Sequence, residues 1–258
     1  MTKSILLIHG AFAVGSVWNS VIPAFESAGF VTNAPTLFPE LRCKDNPKPE
    51  LAALALSDYV SYFSDACVQM TKEHGEKPVI IGHSMGGLIA QKLAEKNLGS
   101  AAIFITPAAP LGCQVDSLKT AVTFLNILLA NDPNKSYRMS DWGTKWGVLN
   151  RVPVSQHPAM IDEMVYESGL VLQNLAHRVE DPNQAGTVDQ TKIQIPTLTI
   201  GAALDRTTVI QSIRKIALKY ATVGGDYKEY PENGHMIFNE PGADKFVTDI
   251  LGWLASKG

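Results

Sequence analysis

Cysteine is scarce in this sequence: Cys43, Cys67 and Cys113 are the only three in 258 residues, odd in number and far apart. That excludes a disulfide-framed module and the paired spacing of a structural zinc site, and it predicts a reducing compartment. An excess of charge of one sign is also missing, since 22 basic residues face 25 acidic ones for a net charge of −3. Without a basic stripe to displace counterions from a phosphate backbone, nucleic acid is not an expected partner. Long hydrophobic runs are absent as well. The apolar stretch Ile5-Leu6-Leu7-Ile8 is too short for a signal-peptide core and is interrupted by His9-Gly10, and no later run reaches membrane-spanning length. The expectation is a soluble, cytoplasmic protein with no membrane partner. No tandem repeat or low-complexity tract is visible.

What is present is a composition of 45% hydrophobic residues, ample for a sizeable core. Short continuous apolar runs alternate with helical periodicity, the pattern of strands buried on both faces of a parallel α/β sheet. Strands are predicted at Ser4 to Ile8, Phe30 to Ala34, Val79 to Ile81, Ala101 to Ile105, Thr197 to Ile200 and Tyr227 to Tyr230. Helices are predicted at Trp18 to Ala28, Leu51 to Lys72, Met85 to Lys96, Thr207 to Tyr220 and Ala243 to Ala255. The rhythm breaks between Pro107 and Pro196, where only helical patterns appear, at Ser117 to Ala130 and Pro158 to Ala176. The expected fold class is therefore α/β: a mostly parallel sheet of about six strands flanked by helices, with a helical cap inserted after the fourth strand. The core would comprise residues 1–107 and 195–258, and the cap residues 108–194.

The stretch Gly82-His83-Ser84-Met85-Gly86 joins a buried-strand pattern directly to a helix pattern. Glycines two before and two after the serine leave room for a sharp turn that pushes the hydroxyl out at the sheet edge, and the helix start aims backbone amides, Met85 N–H among them, at any charge forming there. A serine hydroxyl is a poor nucleophile unless a base takes its proton and donors stabilise the oxyanion, so partners are required. The loop His9-Gly10-Ala11-Phe12 after the first strand can supply a second donor, Ala11 N–H first and Phe12 N–H second. Of six histidines, His235 stands out. It follows the last strand in Asn233-Gly234-His235-Met236, on the same edge as Ser84, whereas His9 and His83 adjoin the glycine loops, His74 ends a helix, and His157 and His177 belong to the insertion. An acid must then orient the imidazole. Asp205, in the loop after the strand Thr197 to Ile200, is best placed, although an aspartate before Thr207 and Thr208 could also begin the next helix as its N-cap. Glu232, Asp226 and Asp181 are less well placed. Phe12, Met236 and the cap tryptophans Trp142 and Trp146 are candidates for an apolar substrate pocket.

Taken in the order serine, acid, histidine, the three loops resemble the α/β-hydrolase fold, and the early strand leading into His9-Gly10 makes the chain similar to compact members such as plant methylesterases and hydroxynitrile lyases. The resemblance implies Ser84 as nucleophile, His235 as general base and acid, Asp205 as its orienting partner, and the Ala11 and Met85 amides as the oxyanion hole. Haloalkane dehalogenases and epoxide hydrolases carry aspartate at the position of Ser84. Hydroxynitrile lyases of this type carry lysine after the histidine and threonine after the first-loop histidine, where this chain has Met236 and Gly10. The implied activity is hydrolysis of a small-molecule carboxylic ester of small to medium, mostly apolar character through an acyl-enzyme. The alternatives are C–C bond hydrolysis or cofactor-free perhydrolysis on the same triad, or a small-molecule receptor. No metal or organic cofactor is implied.

Overall fold

The computed structural model describes residues 3–257. In chain order, β1 (Ser4–Ile8), α1 (Ile22–Ser27), β2 (Val31–Asn33), α2 (Leu56–His74), β3 (Val79–His83), α3 (Met85–Glu95) and β4 (Ala101–Ile105) form the first part. An insertion, residues 106–196, then carries α4 (Leu118–Thr123), α5 (Leu125–Ala130), β5 (Ser136–Tyr137), α6 (Asp141–Gly143), α7 (His157–Asp162), β6 (Glu167–Ser168) and α8 (Gly169–Leu175). The chain closes with β7 (Thr197–Ala202), α9 (Ile210–Ala221), β8 (Asp226–Tyr230) and α10 (Ala243–Lys257).

Six strands pair in parallel in the order β2-β1-β3-β4-β7-β8. The four inner strands are buried at every position, as their unbroken apolar runs require. Because successive side chains point to opposite faces, each strand feeds two cores. Leu6, Ile8, Ile80 and Phe104 pack with α2, α3 and α9, while Ile5, Leu7, Ile81 and Ile103 pack with Phe25 of α1 and Phe246 and Ile250 of α10. A register slip of one residue would exchange these two sets. The edge strands are the polar ones: β8 reads Asp226-Tyr227-Lys228-Glu229-Tyr230 with only Tyr230 buried, which discourages pairing with further chains. Among the described residues no helix is long and apolar enough to cross a membrane.

The insertion differs from its expected all-helical form. The predicted helix over Pro158 to Ala176 is interrupted by β6, which pairs antiparallel with β5 through Ser136–Ser168 and Tyr137–Glu167. Two causes are local: the Ser168 hydroxyl caps α8 by accepting the Val171 N–H, and Gly169 lies so close to its neighbours that a Cβ would come within 2.5 Å of the Lys135 carbonyl oxygen. The predicted helix over Ser117 to Ala130 is likewise split at Phe124, after Thr123 turns its hydroxyl back to the Lys119 carbonyl and onward to that of Arg206. The helix predicted from Thr207 begins only at Ile210, because the residues before it are spent on a turn at Asp205.

Candidate active site

At the C-terminal edge of the sheet, β3 runs into α3 through Ser84, whose backbone is held at φ 55°, ψ −120°. A non-glycine residue in such a conformation costs about 1–3 kcal/mol and persists only when its surroundings over-determine it. Here they do. The Ser84 N–H donates to the Ile105 carbonyl at 3.1 Å, and the Ser84 carbonyl accepts from Gly87 at 2.9 Å and Ala108 at 2.8 Å. The flanking glycines are steric requirements: a Cβ on Gly82 would lie 2.0 Å from the Gly86 carbonyl oxygen, and one on Gly86 would lie 2.3 Å from that of Ile8. Since both obstacles are backbone atoms, neither can rotate away. Gly86→Ala is accordingly expected to leave little folded protein in the soluble fraction, and a thermal unfolding midpoint within a few degrees of the parent would refute this account of the turn.

His235 and Asp205 arrive from the loops after β8 and β7. His235 Nδ1 is 2.8 Å from Asp205 Oδ2, and both side chains are buried. Asp205 divides its two oxygens: Oδ1 accepts the amides of Thr207 at 2.6 Å and Thr208 at 3.0 Å, while Oδ2 accepts from His235 and from the Thr208 hydroxyl. The carboxylate thus accepts two amides of a turn that precedes α9, whose own N-cap is Val209, and with its other oxygen meets the imidazole. The His235 loop is clasped by Glu240, whose carboxylate accepts the amides of Gly234 at 2.7 Å and Met236 at 3.2 Å and the side-chain amide of Asn233 at 3.1 Å. Burial pushes the Glu240 carboxyl above the usual range, against the pull of the Gly234 amide. His83 serves the same loop, its Nε2 donating to the His235 carbonyl at 3.0 Å. Burial, followed by the proximity of His235, holds the His83 imidazole well below its ordinary pKa and keeps it neutral.

The other acids considered lie elsewhere: Asp181 caps α2 at Ser57, Asp226 pairs with Lys257 and Trp253, and Glu232 is exposed. His74 precedes Gly75, which closes α2 in the left-handed conformation, and His157 and His177 bond backbone carbonyls of the insertion and of its seam.

Ser84 lies where two cavities meet. The first, about 290 Å³, is lined by His235, Phe12, Met236, Met160 and Met164; the second, about 340 Å³, by Met85, Ala121, Leu128 and Leu172. Ser84, Ala11, Phe124 and Thr207 face both. Among the described residues the Ser84 hydroxyl has no hydrogen-bond partner, so it is positioned by the backbone turn and faces both cavities. Of the two first-loop donors, Phe12 N–H is already taken, donating to the buried Glu167 carboxylate at 3.3 Å, while Ala11 N–H has no acceptor among the described residues. Met85, as the first residue of α3, has no intrahelical partner for its N–H. Among the described residues no three His, Cys, Asp or Glu side chains cluster as metal ligands.

Trp142 and Trp146 need correcting. Neither lines either of the two cavities at Ser84: their rings stack on each other at 5.9 Å with Trp142 57% exposed, and the Arg206 guanidinium sits 4.6 Å over Trp146. Cation and ring together draw the pair to the outside of the insertion. The apolar lining comes instead from methionines, Met139, Met160 and Met164, and from Phe124. Neither Glu167 nor Glu240 carries a signal in the sequence, because each acts through amides distant in sequence or hidden in a loop.

Three solved structures share this architecture across almost the whole chain. A monoacylglycerol lipase of Paleococcus ferrophilus superposes with a TM-score of 0.69 at 19% identity, covering 99% of this chain and 95% of the other. Tomato methylketone synthase I, complexed with 2-tridecanone, gives 0.73 at 17% identity and 100% of both chains. A methylesterase from Arabidopsis gives 0.72 at 12% identity, with 98% and 99% covered. At such identities the likeness is one of fold. The family profile of the alpha/beta hydrolases matches residues 5–247, nearly the full length, and the chain belongs to the alpha/beta hydrolase family.

Proposed function

We propose that this hydrolase cleaves carboxylic esters through an acyl-enzyme, with Ser84 as nucleophile, His235 as general base and then acid, Asp205 as its orienting partner, and the Ala11 and Met85 amides as the oxyanion hole. The observation that carries the reading is the meeting of the strained Ser84 turn, the His235–Asp205 hydrogen bond and two apolar cavities at one point. In acylation the Ser84 oxygen bonds to the ester carbonyl carbon, its proton passes to His235 Nε2, and the carbonyl oxygen takes up charge against the two amides. The carbon–oxygen bond to the alcohol then breaks, and His235 returns the proton to the leaving oxygen. Water repeats the sequence to release the acid.

That proton transfer assigns the cavities. The leaving oxygen must reach His235, which lines the first cavity and not the second, so the alcohol half lies in the first, against Met160, Met164 and Met236. The acyl half lies in the second, against Ala121, Leu128 and Leu172. Each volume is near the lower end of the range for small-molecule sites, and the linings are mainly hydrocarbon and thioether. The substrate class is therefore an ester whose two halves are both apolar and small to medium in size. Neighbours named as a lipase and a methylesterase agree with ester cleavage.

A two-way series of esters, varied separately in acyl and alcohol length, checks this against two blocked variants. Ala121→Trp is expected to shift preference toward shorter acyl groups, and Met160→Trp toward shorter alcohols, by about tenfold or more per excluded methylene. Exchanged effects would overturn the cavity assignment. If Ser84-dependent turnover is absent for every ester, the esterase reading itself fails.

A further inference from the structure

The insertion grips the loop between β1 and α1 by both peptide groups of Phe12, in addition to an exposed bond from the Ser16 hydroxyl to Glu163. The Val165 N–H donates to the Phe12 carbonyl at 2.9 Å, and the Phe12 N–H donates to Glu167 Oε2 at 3.3 Å. Both peptide groups flanking a residue with φ 63° are thus tied to one short strap, residues 165–167, leading into and entering β6. The strap is itself anchored below, where the Tyr166 N–H donates to the Cys43 carbonyl at 3.2 Å.

Glu167 is fully buried and fully engaged. Its Oε2 also accepts from Arg42 Nη2 at 2.8 Å, and its Oε1 accepts from Ser168 N–H at 3.1 Å and from the Tyr59 hydroxyl. Arg42 reaches on with Nη1 to His9 Nε2 and to the Leu37 carbonyl, both at 3.4 Å. Burial first, and the Arg42 charge second, lower the His9 pKa to about 3, so the ring is neutral; its Nδ1 donates to the Gly10 carbonyl at 2.8 Å. The circuit closes on the loop from which it started: His9 and Gly10 at one end, Phe12 at the other, with one cation and one anion between them.

Stability alone does not account for this arrangement, because a buried ion pair is commonly matched or bettered by apolar residues of the same volume. A carboxylate beside a site that must accept negative charge is also electrostatically adverse unless a cation cancels it, as Arg42 does here. We infer that Glu167 is a positioning residue for acyl transfer: by capturing the Phe12 N–H and holding the left-handed turn, it leaves the Ala11 N–H as the loop's free donor toward Ser84. This rests on the reading of Ser84 as nucleophile and extends it by assigning a task to the insertion, which completes the oxyanion site from outside the sheet.

The test separates oxyanion stabilisation from folding. Sulfur accepts amide hydrogen bonds poorly, so the rate ratio between p-nitrophenyl acetate and its thiono analogue, with C=S in place of C=O, reports the oxyanion donors. In the double variant Arg42→Met with Glu167→Met, which leaves no unpaired buried charge, kcat for the oxygen ester is expected to fall about 10²-fold, as small misplacements of catalytic groups do, with KM little changed. The thiono rate is expected to fall much less, so the ratio collapses. Arg42→Met with Glu167→Gln restores one oxygen to the Phe12 N–H and is expected to recover most of the ratio. Equal losses on both substrates, or no loss, would overturn the inference. Should the double variants fail to fold, Tyr59→Phe, which removes a single hydrogen bond to Glu167, is expected to lower the ratio in the same direction, and an unchanged ratio would count against it equally. If the parent protein turns over no ester, the nucleophile reading is separated by single-event labelling with diethyl p-nitrophenyl phosphate and its P=S analogue. There the Ser84 oxygen bonds to phosphorus, p-nitrophenolate leaves with its electron pair, and His235 takes the serine proton. A P=O to P=S ratio that collapses in the variants supports Glu167 even without esterase turnover, and one that does not move overturns it. Absence of labelling removes both readings.

Discussion

Ser84→Ala is expected to lower hydrolysis of p-nitrophenyl esters by about 10⁵ to 10⁶-fold, the scale on which acyl-transfer enzymes lose turnover with their nucleophile. The size of the loss follows from the chemistry: without Oγ no acyl-enzyme forms, and what remains is whatever the two amides and the cavities do for direct attack by water. The variant should fold. Among the described residues the hydroxyl has no hydrogen-bond partner, so its removal leaves no buried partner unsatisfied. The positive φ is held by backbone bonds from Ile105, Gly87 and Ala108, which alanine retains. Three measurements check this together: ester turnover, covalent labelling by a p-nitrophenyl phosphonate, and the thermal midpoint. Activity within tenfold of the parent would remove Ser84 from the chemistry, whereas loss of activity with a collapsed midpoint would place the residue in the fold.

The legible and illegible parts of this molecule divide by how far apart the interacting residues lie. Ser84 could be read because its requirements are local. Gly82 and Gly86 stand two residues to either side, and the structure gives a physical reason for each in a backbone carbonyl that no side chain could avoid. The central strands were legible for a similar reason, since Leu6, Ile80, Ile103 and their neighbours form unbroken apolar runs. Asp205 offers two readings in the sequence, as a cap and as an imidazole partner; its Oδ1 does take following amides, but in a turn ahead of α9 rather than at the helix start, while Oδ2 meets His235. Composition misled at Trp142 and Trp146. Apolar content does not say which side of an element faces a cavity, and Arg206, sixty positions from the Trp146 carbonyl it binds, draws the second ring outward. Glu167 carried no local signal at all: its partners Phe12, Arg42 and Tyr59 are 155, 125 and 108 positions away. The stretch around it has helical spacing, and only the ribbon with Tyr137 and the buried arginine make it a strand.

The second large effect is expected at Asp205→Asn, a change of one atom that keeps the shape of the loop. Asparagine can present its oxygen where Oδ1 accepts the Thr207 and Thr208 amides, so the turn that delays α9 until Ile210 survives. Its nitrogen must then take the place of Oδ2, 2.8 Å from His235 Nδ1. The Thr208 hydroxyl can accommodate that exchange, because it lies 2.9 Å from the Thr106 carbonyl and can donate there while accepting from the new amide. His235 cannot. Facing a donor, Nδ1 has to become the acceptor, which moves the ring proton to Nε2 and leaves no lone pair there to receive the Ser84 proton. The expected result is a fall in kcat of about 10⁴-fold with an intact fold, since the wrong tautomer disables the base without disturbing its position. Hydroxide or an added small base should recover part of the rate, because either can replace His235 in taking the Ser84 proton. Asp205→Ala should behave differently: it strips the Thr207 and Thr208 amides of their acceptor in a buried loop and should lower the thermal midpoint as well as the rate. A ring-nitrogen NMR spectrum distinguishes the two tautomers directly. If Asp205→Asn retains the Nδ1–H form of His235, or loses less than tenfold in kcat, the carboxylate's part in proton transfer is refuted and only its part in the turn is left.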